Sequence, residues 1–268
     1  MIDPIAFEIF GIKIYWYGLV YGFGFLLTYF LFMKKDLGFK KELKEDIFFY
    51  LIIYSILFGR LFYVIFYEPL YYLKDPIKIL YIWEGGMSIH GGLFGGFLTL
   101  FYLSRKYKFK LLKVTDFLVI PLSLFLCLGR IANFINQELY GYVIKNEKFK
   151  FLGVVFNRVD NNLRYPTQLF SALKNFLLFY FLSFYKEFKT NNSNENSKNN
   201  LLDGELTFLF LIFYNFGRFF IDFLRVPTGI GNSMYNYTGL SLGQIFCLIY
   251  GFIGIYFFIK LKYVKKKK

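Results

Sequence analysis

TDFLVIPLSLFLCLGRIANFIN, residues Thr115–Asn136, is the stretch whose reading decides the fold. It is long enough to cross a bilayer as a helix, which takes roughly 20 apolar residues. Arg130 and Asn133 stand inside it. A charge at membrane depth is expensive, so Arg130 needs a reason to be there. Working outward, six more stretches have a similar character: Trp16–Met33, Ile47–Tyr67, Met87–Leu103, Pro166–Tyr185, Gly204–Phe223 and Leu240–Leu261. The first and third are near the short limit, and the sixth of the seven carries charge inside as well. The expectation is an all-α integral membrane protein with about seven transmembrane helices, one polytopic domain over 1–268.

Composition agrees. Apolar residues make up 56% of the 268 and aromatics 24%, with 39 Phe and 24 Tyr. One soluble core does not hide that much apolar surface, because cores stop growing at about this chain length. The formal net charge of +14 would suggest nucleic acid in a soluble protein. Here the charges form short runs between apolar stretches, the pattern of cytoplasmic loops facing anionic headgroups, and no nucleic-acid partner is expected. Cys127 and Cys247 lie in apolar runs and read as packing residues, with no metal or redox motif. Met1 to Phe7 lacks the basic region of a cleaved signal peptide, so the first span is expected to be retained.

The loops set the orientation. With the N-terminus outside, segments 34–46, 105–113, 186–203 and 260–268 face the cytoplasm and hold 19 Lys and Arg. Segments 1–15, 68–86, 137–165 and 224–239 face outside and hold 9, while Arg60, Arg130, Lys174 and Arg218 fall within spans. Basic residues favour the cytoplasmic side, so the N-terminus is expected outside and the C-terminus inside. Residues 186–203 contain TNNSNENSKNN (Thr190–Asn200) and read as a flexible cytoplasmic linker. Residues 137–165 form the extracytoplasmic head segment. Within it VIKNEKFKFLGVVF mixes β-branched and aromatic residues and is compatible with a short hairpin.

The polar residues within the spans then converge. Arg218, Asp222 and Arg225 fall at i, i+4 and i+7, one face of a helix. Arg130, Asn133 and Gln137 fall at i, i+3 and i+7, also on one face, with Glu138 beside them where the helix should end. His90, the only histidine, lies in GGMSIHGGLFGG (Gly85–Gly96), whose Gly95 and Gly96 read as packing residues. Under the expected topology Tyr17, His90, Arg130, Asn133, Gln168, Arg218, Asp222 and Gln244 all fall in the outer-leaflet half. The inner halves read as nearly pure Phe, Leu and Ile. This is a cationic pocket at headgroup depth, suited to a phosphate gripped by guanidinium groups. A transporter or flippase for a lipid or anionic solute is the alternative, and it predicts polar groups along a path through both leaflets.

At this point the sequence resembles a known family. WYG (Trp16–Gly18), EGGMSIHGG (Glu84–Gly92), GRIANFINQELYG (Gly129–Gly141), LGVVF (Leu152–Phe156), YPTQLF (Tyr165–Phe170), GRFFIDFLR (Gly217–Arg225) and LSLGQ (Leu240–Gln244) resemble, in order, the signature blocks of prolipoprotein diacylglyceryl transferases. The resemblance implies a multi-pass enzyme of the bacterial cytoplasmic (inner) membrane. Such an enzyme moves the diacylglyceryl group of phosphatidylglycerol onto the lipobox cysteine in the signal peptide of a prolipoprotein, forming a thioether and releasing glycerol phosphate. The resemblance implies no metal and no cofactor; the partners are the two substrates and membrane lipid. It maps functional roles onto Tyr17, His90, Arg130, Asn133, Glu138, Gly141, Arg218 and Arg225, with Asp222 where the family usually has Glu. Tyr15, Tyr165 and Ser171 depart from the family pattern, the first two where it often has His and the third where an acidic residue is frequent. His90 is thus the one imidazole left to act as general base for the thiol. Lowering of the thiol pKa by the arginines is the competing account.

Overall fold

The computed structural model describes residues 5–9, 12–82, 85–191, 200–227, 235 and 238–266. It is mainly helical. A hairpin of β1 (Ile5–Ile9) and β2 (Ile12–Tyr15) leads into α1 (Trp16–Lys34), α2 (Lys41–Phe66) and the short α3 (Pro69–Lys74). Then come α4 (Ile89–Tyr107), α5 (Leu111–Ile135), β3 (Val154–Val155), β4 (Leu163–Arg164), α6 (Thr167–Asn191), α7 (Glu205–Asp222) and α8 (Leu242–Lys266). Every predicted apolar stretch is a helix. Several helices overrun the prediction, as at Lys41 and Lys266, because an apolar window stops where Lys and Glu begin, although both are good helix formers. Lys41–Phe66, Leu111–Ile135 and Leu242–Val264 are long and apolar enough to cross a membrane.

Two antiparallel ladders amend the all-α expectation. In the first, Phe7 pairs with Ile14 and Ile9 with Ile12. In the second, Val154 pairs with Arg164 and Val155 with Leu163. The middle of the stretch read as a possible hairpin is instead a 3₁₀ helix, Glu147–Leu152, while Val154–Val155 near its end form β3. The Asn146 side chain starts that turn by accepting from the Lys148 amide at 3.0 Å. Phe151 is 80% exposed and so lacks the covered face a longer strand would need. Residues 192–199 of the Thr190–Asn200 tract lie outside the described residues.

The chain divides into two compact units. One comprises Leu31–Val114 and Pro227–Leu242. In it α2 packs on α4 through glycine. A Cβ on Gly91 would strike the Phe62 side chain and the Phe58 carbonyl, and one on Gly95 would strike Phe58 and lie 2.7 Å from the Tyr54 carbonyl. Small residues four apart let two backbones approach this closely. Arg60 is buried on α2 and its guanidinium donates to the carbonyls of Lys78 (2.6 Å), Ile79 (3.0 Å), Gly85 (2.5 Å) and Gly86 (3.0 Å). Its charge therefore holds the loop that enters α4.

The other unit comprises Met1–Phe30, Thr115–Val226 and Gly243–Lys268, and contains α5 to α8. Apolar side chains fill its interior and also cover its exterior. Leu177, Tyr180, Phe184 and Phe220 face outward, each more than half exposed, while Gln168, Asn175, Asn215 and Gln244 are each 1% exposed. Apolar solvent outside and hydrogen-bonding groups inside is the arrangement lipid favours.

This unit also corrects the expectation that the inner halves of the spans are almost purely apolar. Asp116 at the start of α5 accepts from the amides of Gly204 and Thr207, both at 2.7 Å, and from the Thr207 hydroxyl at 2.6 Å. It caps α7 from a neighbouring helix, supplying amides that no intrahelical carbonyl reaches. Glu205 is fully buried and accepts from Tyr185, Lys262 and the Leu202 amide. These groups satisfy one another, which is why they can be buried. They escape a sequence reading because each lies at the end of an apolar stretch, where a charge is ordinarily a boundary marker.

Candidate active site

The C-terminal end of α5 carries the first half of the site. Arg130 donates to the Asn133 side-chain oxygen at 3.5 Å, and the Asn133 amide donates to Glu138 at 3.3 Å. Glu138 also accepts from Asn136 at 3.3 Å. Glu138 therefore acts on Arg130 through Asn133. The backbone that brings it there is strained: Gln137 and Leu139 have φ of 58° and 59°. Left-handed conformations at non-glycine residues persist only where their surroundings fix them. Here the Gln137 side chain accepts from the Arg158 amide at 2.9 Å, Gln168 donates to the Glu138 carbonyl at 2.5 Å, and Thr167 donates to the Leu139 carbonyl at 2.6 Å. Gln168 and Thr167, from PTQ at the head of α6, thus hold the exit of α5.

The second half lies on α7. Arg218 stands 3.5 Å from Asp222, and Arg225 3.7 Å from the other oxygen of the same carboxylate. Arg218 and Asp222 share one face of α7, as their spacing predicts, whereas Arg225 lies beyond the helix end at Asp222 and reaches the same carboxylate from its bridge to Gly141. The Arg218 and Asp222 side chains are about one-tenth exposed and that of Arg225 one-fifth.

Gly141 joins the halves. It is bridged to Arg225, and the Tyr142 amide donates to the Leu224 carbonyl at 2.9 Å. Its own amide donates to the Tyr165 carbonyl at 2.9 Å. A Cβ here would lie 2.6 Å from the Leu224 carbonyl and 2.7 Å from that of Tyr165, so only glycine fits between the two strands. Arg164 reinforces the junction. It donates to the Gly141 carbonyl at 3.2 Å and to Asp160 at 2.6 Å, with its guanidinium 5.1 Å from the Tyr140 ring centre. These hydrogen bonds hold the Asp160 carboxyl well below the usual carboxylate range. The sequence reading missed this pair because both residues look like ordinary charges of an exposed loop.

Lys174 on α6 and Cys247 on α8 each interact electrostatically with Arg130, Arg218 and Asp222. Cys127 and Cys247 are buried free thiols. Gln244, also on α8, donates to the Phe219 carbonyl at 3.2 Å.

His90 belongs to the other compact unit. It is in the first turn of α4, 0% exposed, beside the Ser88 cap, whose hydroxyl accepts from Gly91 at 3.4 Å. Tyr17 falls in α1, and its side chain lies outside the described residues. Of the nine residues singled out, eight therefore share one unit: Tyr17, Arg130, Asn133, Glu138, Gly141, Arg218, Asp222 and Arg225.

Comparison with known proteins agrees with this reading. Residues 4–260 match the family described as prolipoprotein diacylglyceryl transferase. A phosphatidylglycerol–prolipoprotein diacylglyceryl transferase of Rickettsia bellii (strain OSU 85-389) is 37% identical over 267 residues, covering 97% of this chain and 95% of that protein. The protein of the same name from Nitrosomonas europaea is 38% identical over 248 residues, 90% of this chain and 84% of its own length. That from Ehrlichia canis (strain Jake) is 36% identical over 277 residues, 100% of this chain and 98% of its own.

Proposed function

The chain belongs to the prolipoprotein diacylglyceryl transferase family, and we propose that it moves the diacylglyceryl group of phosphatidylglycerol onto the lipobox cysteine of a prolipoprotein. It works as a multi-pass protein of the bacterial cytoplasmic membrane, with seven spans in one polytopic domain and its N-terminus outside. Residues 137–165 are the extracytoplasmic head and 186–203 the cytoplasmic linker. The observation that carries the reading is the family match together with Arg218 on α7 and Arg225 just beyond it sharing the buried Asp222, joined through Gly141 to the arginine-bearing end of α5.

The chemistry follows from the groups. The thiolate attacks the glycerol carbon that bears the phosphate ester. A C–S bond forms, the C–O bond breaks, and its electron pair leaves on the phosphate oxygen as glycerol phosphate. Arg130 and Arg218 hold the phosphate, since guanidinium presents paired donors to paired oxygens. Asp222 orients Arg218 and Arg225, and Glu138 orients Arg130 through Asn133. Gly141 sets the spacing between them. His90 takes the thiol proton, and Tyr17 completes the catalytic set. A thiol with pKa near 8.5 needs such help at neutral pH. The buried carboxylates at the opposite helix ends are matched by their own partners, which argues against a polar path for a transported solute.

The test is incubation of the purified protein with phosphatidylglycerol and a lipobox peptide, followed by mass measurement. A thioether-linked diacylglyceryl adduct is expected. Absence of that adduct from correctly folded protein would overturn the assignment.

A further inference from the structure

Lys174 is a charge within the spans that the mechanism above does not use and that, unlike Arg60, closes no loop. It lies on α6 about two turns below the helix start. Its stem crosses α7 at a glycine: a Cβ on Gly217 would lie 2.6 Å from the lysine Cδ and 3.0 Å from Cγ. The ammonium then donates to the Tyr214 carbonyl at 3.2 Å and sits 4.0 Å from the centre of the Tyr214 ring. Tyr214, Gly217 and Arg218 fall at i, i+3 and i+4, so the lysine is laid along the face of α7 that bears the arginine. It repels Arg130 and Arg218 and is attracted by Asp222. Among the described residues it makes no ion pair with a carboxylate at contact distance.

A cation held among arginines at membrane depth destabilises the protein unless an anion answers it. The charges in this neighbourhood can be counted. Arg130, Arg218 and Arg225 face Asp222 and Glu138, leaving a net charge of about +1. Lys174 raises this to about +2. Phosphatidylglycerol is a phosphodiester with one negative charge. When the C–O bond breaks, the departing glycerol phosphate carries a second. The arginines and their two carboxylates therefore balance the phosphodiester, and the lysine is surplus until the charge of the attacking thiolate passes to the leaving phosphate.

Resting on that functional reading, we propose that Lys174 is a specificity and positioning residue for the leaving group, balancing the second negative charge that develops on the departing phosphate. An interaction that strengthens as the bond breaks raises kcat more than it lowers KM. The glycine at position 217 belongs to the same device, since any larger side chain there would move the lysine stem off this face.

The test compares wild type with Lys174→Met, Lys174→Gln and Lys174→Arg in the full-length enzyme. It uses phosphatidylglycerol, a lipobox peptide and dianionic glycerol phosphate as product inhibitor. Met and Gln should each lower kcat at least tenfold and change KM for the lipid less than threefold. The inhibition constant for glycerol phosphate should rise about tenfold, and the melting temperature should hold or increase because an unmatched cation is gone. Arg should recover kcat to within threefold. Wild-type kcat in Met or Gln would overturn the proposal. So would a loss confined to KM, or an equal loss in all three variants accompanied by lower melting temperatures, the result of a packing role. Wild type that transfers nothing would sink the functional reading itself, a separate outcome.

Discussion

At the scale of single residues, the site depends on geometry as much as on charge. Arg218 and Arg225 share the Asp222 carboxylate, which fixes the planes of two guanidinium groups with one side chain. Arg218→Lys keeps the charge and loses the paired donors. Its transfer rate should fall at least about tenfold, the equivalent of about 1.4 kcal/mol. Arg105→Lys, in the exposed last turn of α4, should be silent, and equal tolerance at both positions would remove Arg218 from phosphate binding. His90 makes a different prediction. General-base help is typically worth about 10²–10⁴-fold. His90→Asn should lose at least about a hundredfold at pH 7 while still binding phosphatidylglycerol, and part of the rate should return as pH approaches about 8.5, where solvent supplies the thiolate. A defect that stays constant across that range would give the thiol to the arginines and leave His90 a packing role in the first turn of α4.

Secondary-structure elements show how these residues are held. The strained exit of α5 is fixed by side chains from the head of α6, and Gly141 ties it to the end of α7. The opposite ends of the same helices are fastened by Asp116 and Glu205. Asp116 serves three hydrogen bonds at once, two of them to amides at the start of α7. Removing an N-cap costs about 0.5–2 kcal/mol, and leaving buried amides unmatched costs about 1–3 kcal/mol. Asp116→Ala should therefore lower the melting temperature by several degrees. Asp116→Asn, which can still accept from one amide, should lower it less. Thermal unfolding in detergent, followed by circular dichroism, checks the order; a larger loss in Asn than in Ala would mean the side chain is not capping α7.

On the scale of the whole molecule, the basic residues make a prediction that no contact in the fold supplies. Labelling of single cysteines by an impermeant maleimide on intact cells should occur at position 148, in the head segment, and not at position 110, between α4 and α5. The reverse pattern would invert the topology. The seven apolar stretches and their order were legible because lipid imposes one rule, apolar side chains outward along about 20 residues, and that rule is local. The Arg218–Asp222 pair on α7 was legible for the same reason, since a spacing of i and i+4 is a property of one helix, whereas Arg225 joins it from beyond the helix end. What tertiary structure decided was every contact that joins distant segments: Gly141 against Arg225, Gln168 under the α5 exit, Lys174 laid across Gly217, and Asp116 at the start of α7. Those pairings depend on which helices become neighbours, which no local period records. The division of charges followed the same physics. Sequence alone marked Arg60, Arg130, Lys174 and Arg218 as expensive, and only the fold showed that Arg60 closes a loop of carbonyls, that Arg130 turns to Asn133, and that Lys174 lies along the face of α7 that pairs Arg218 with Asp222.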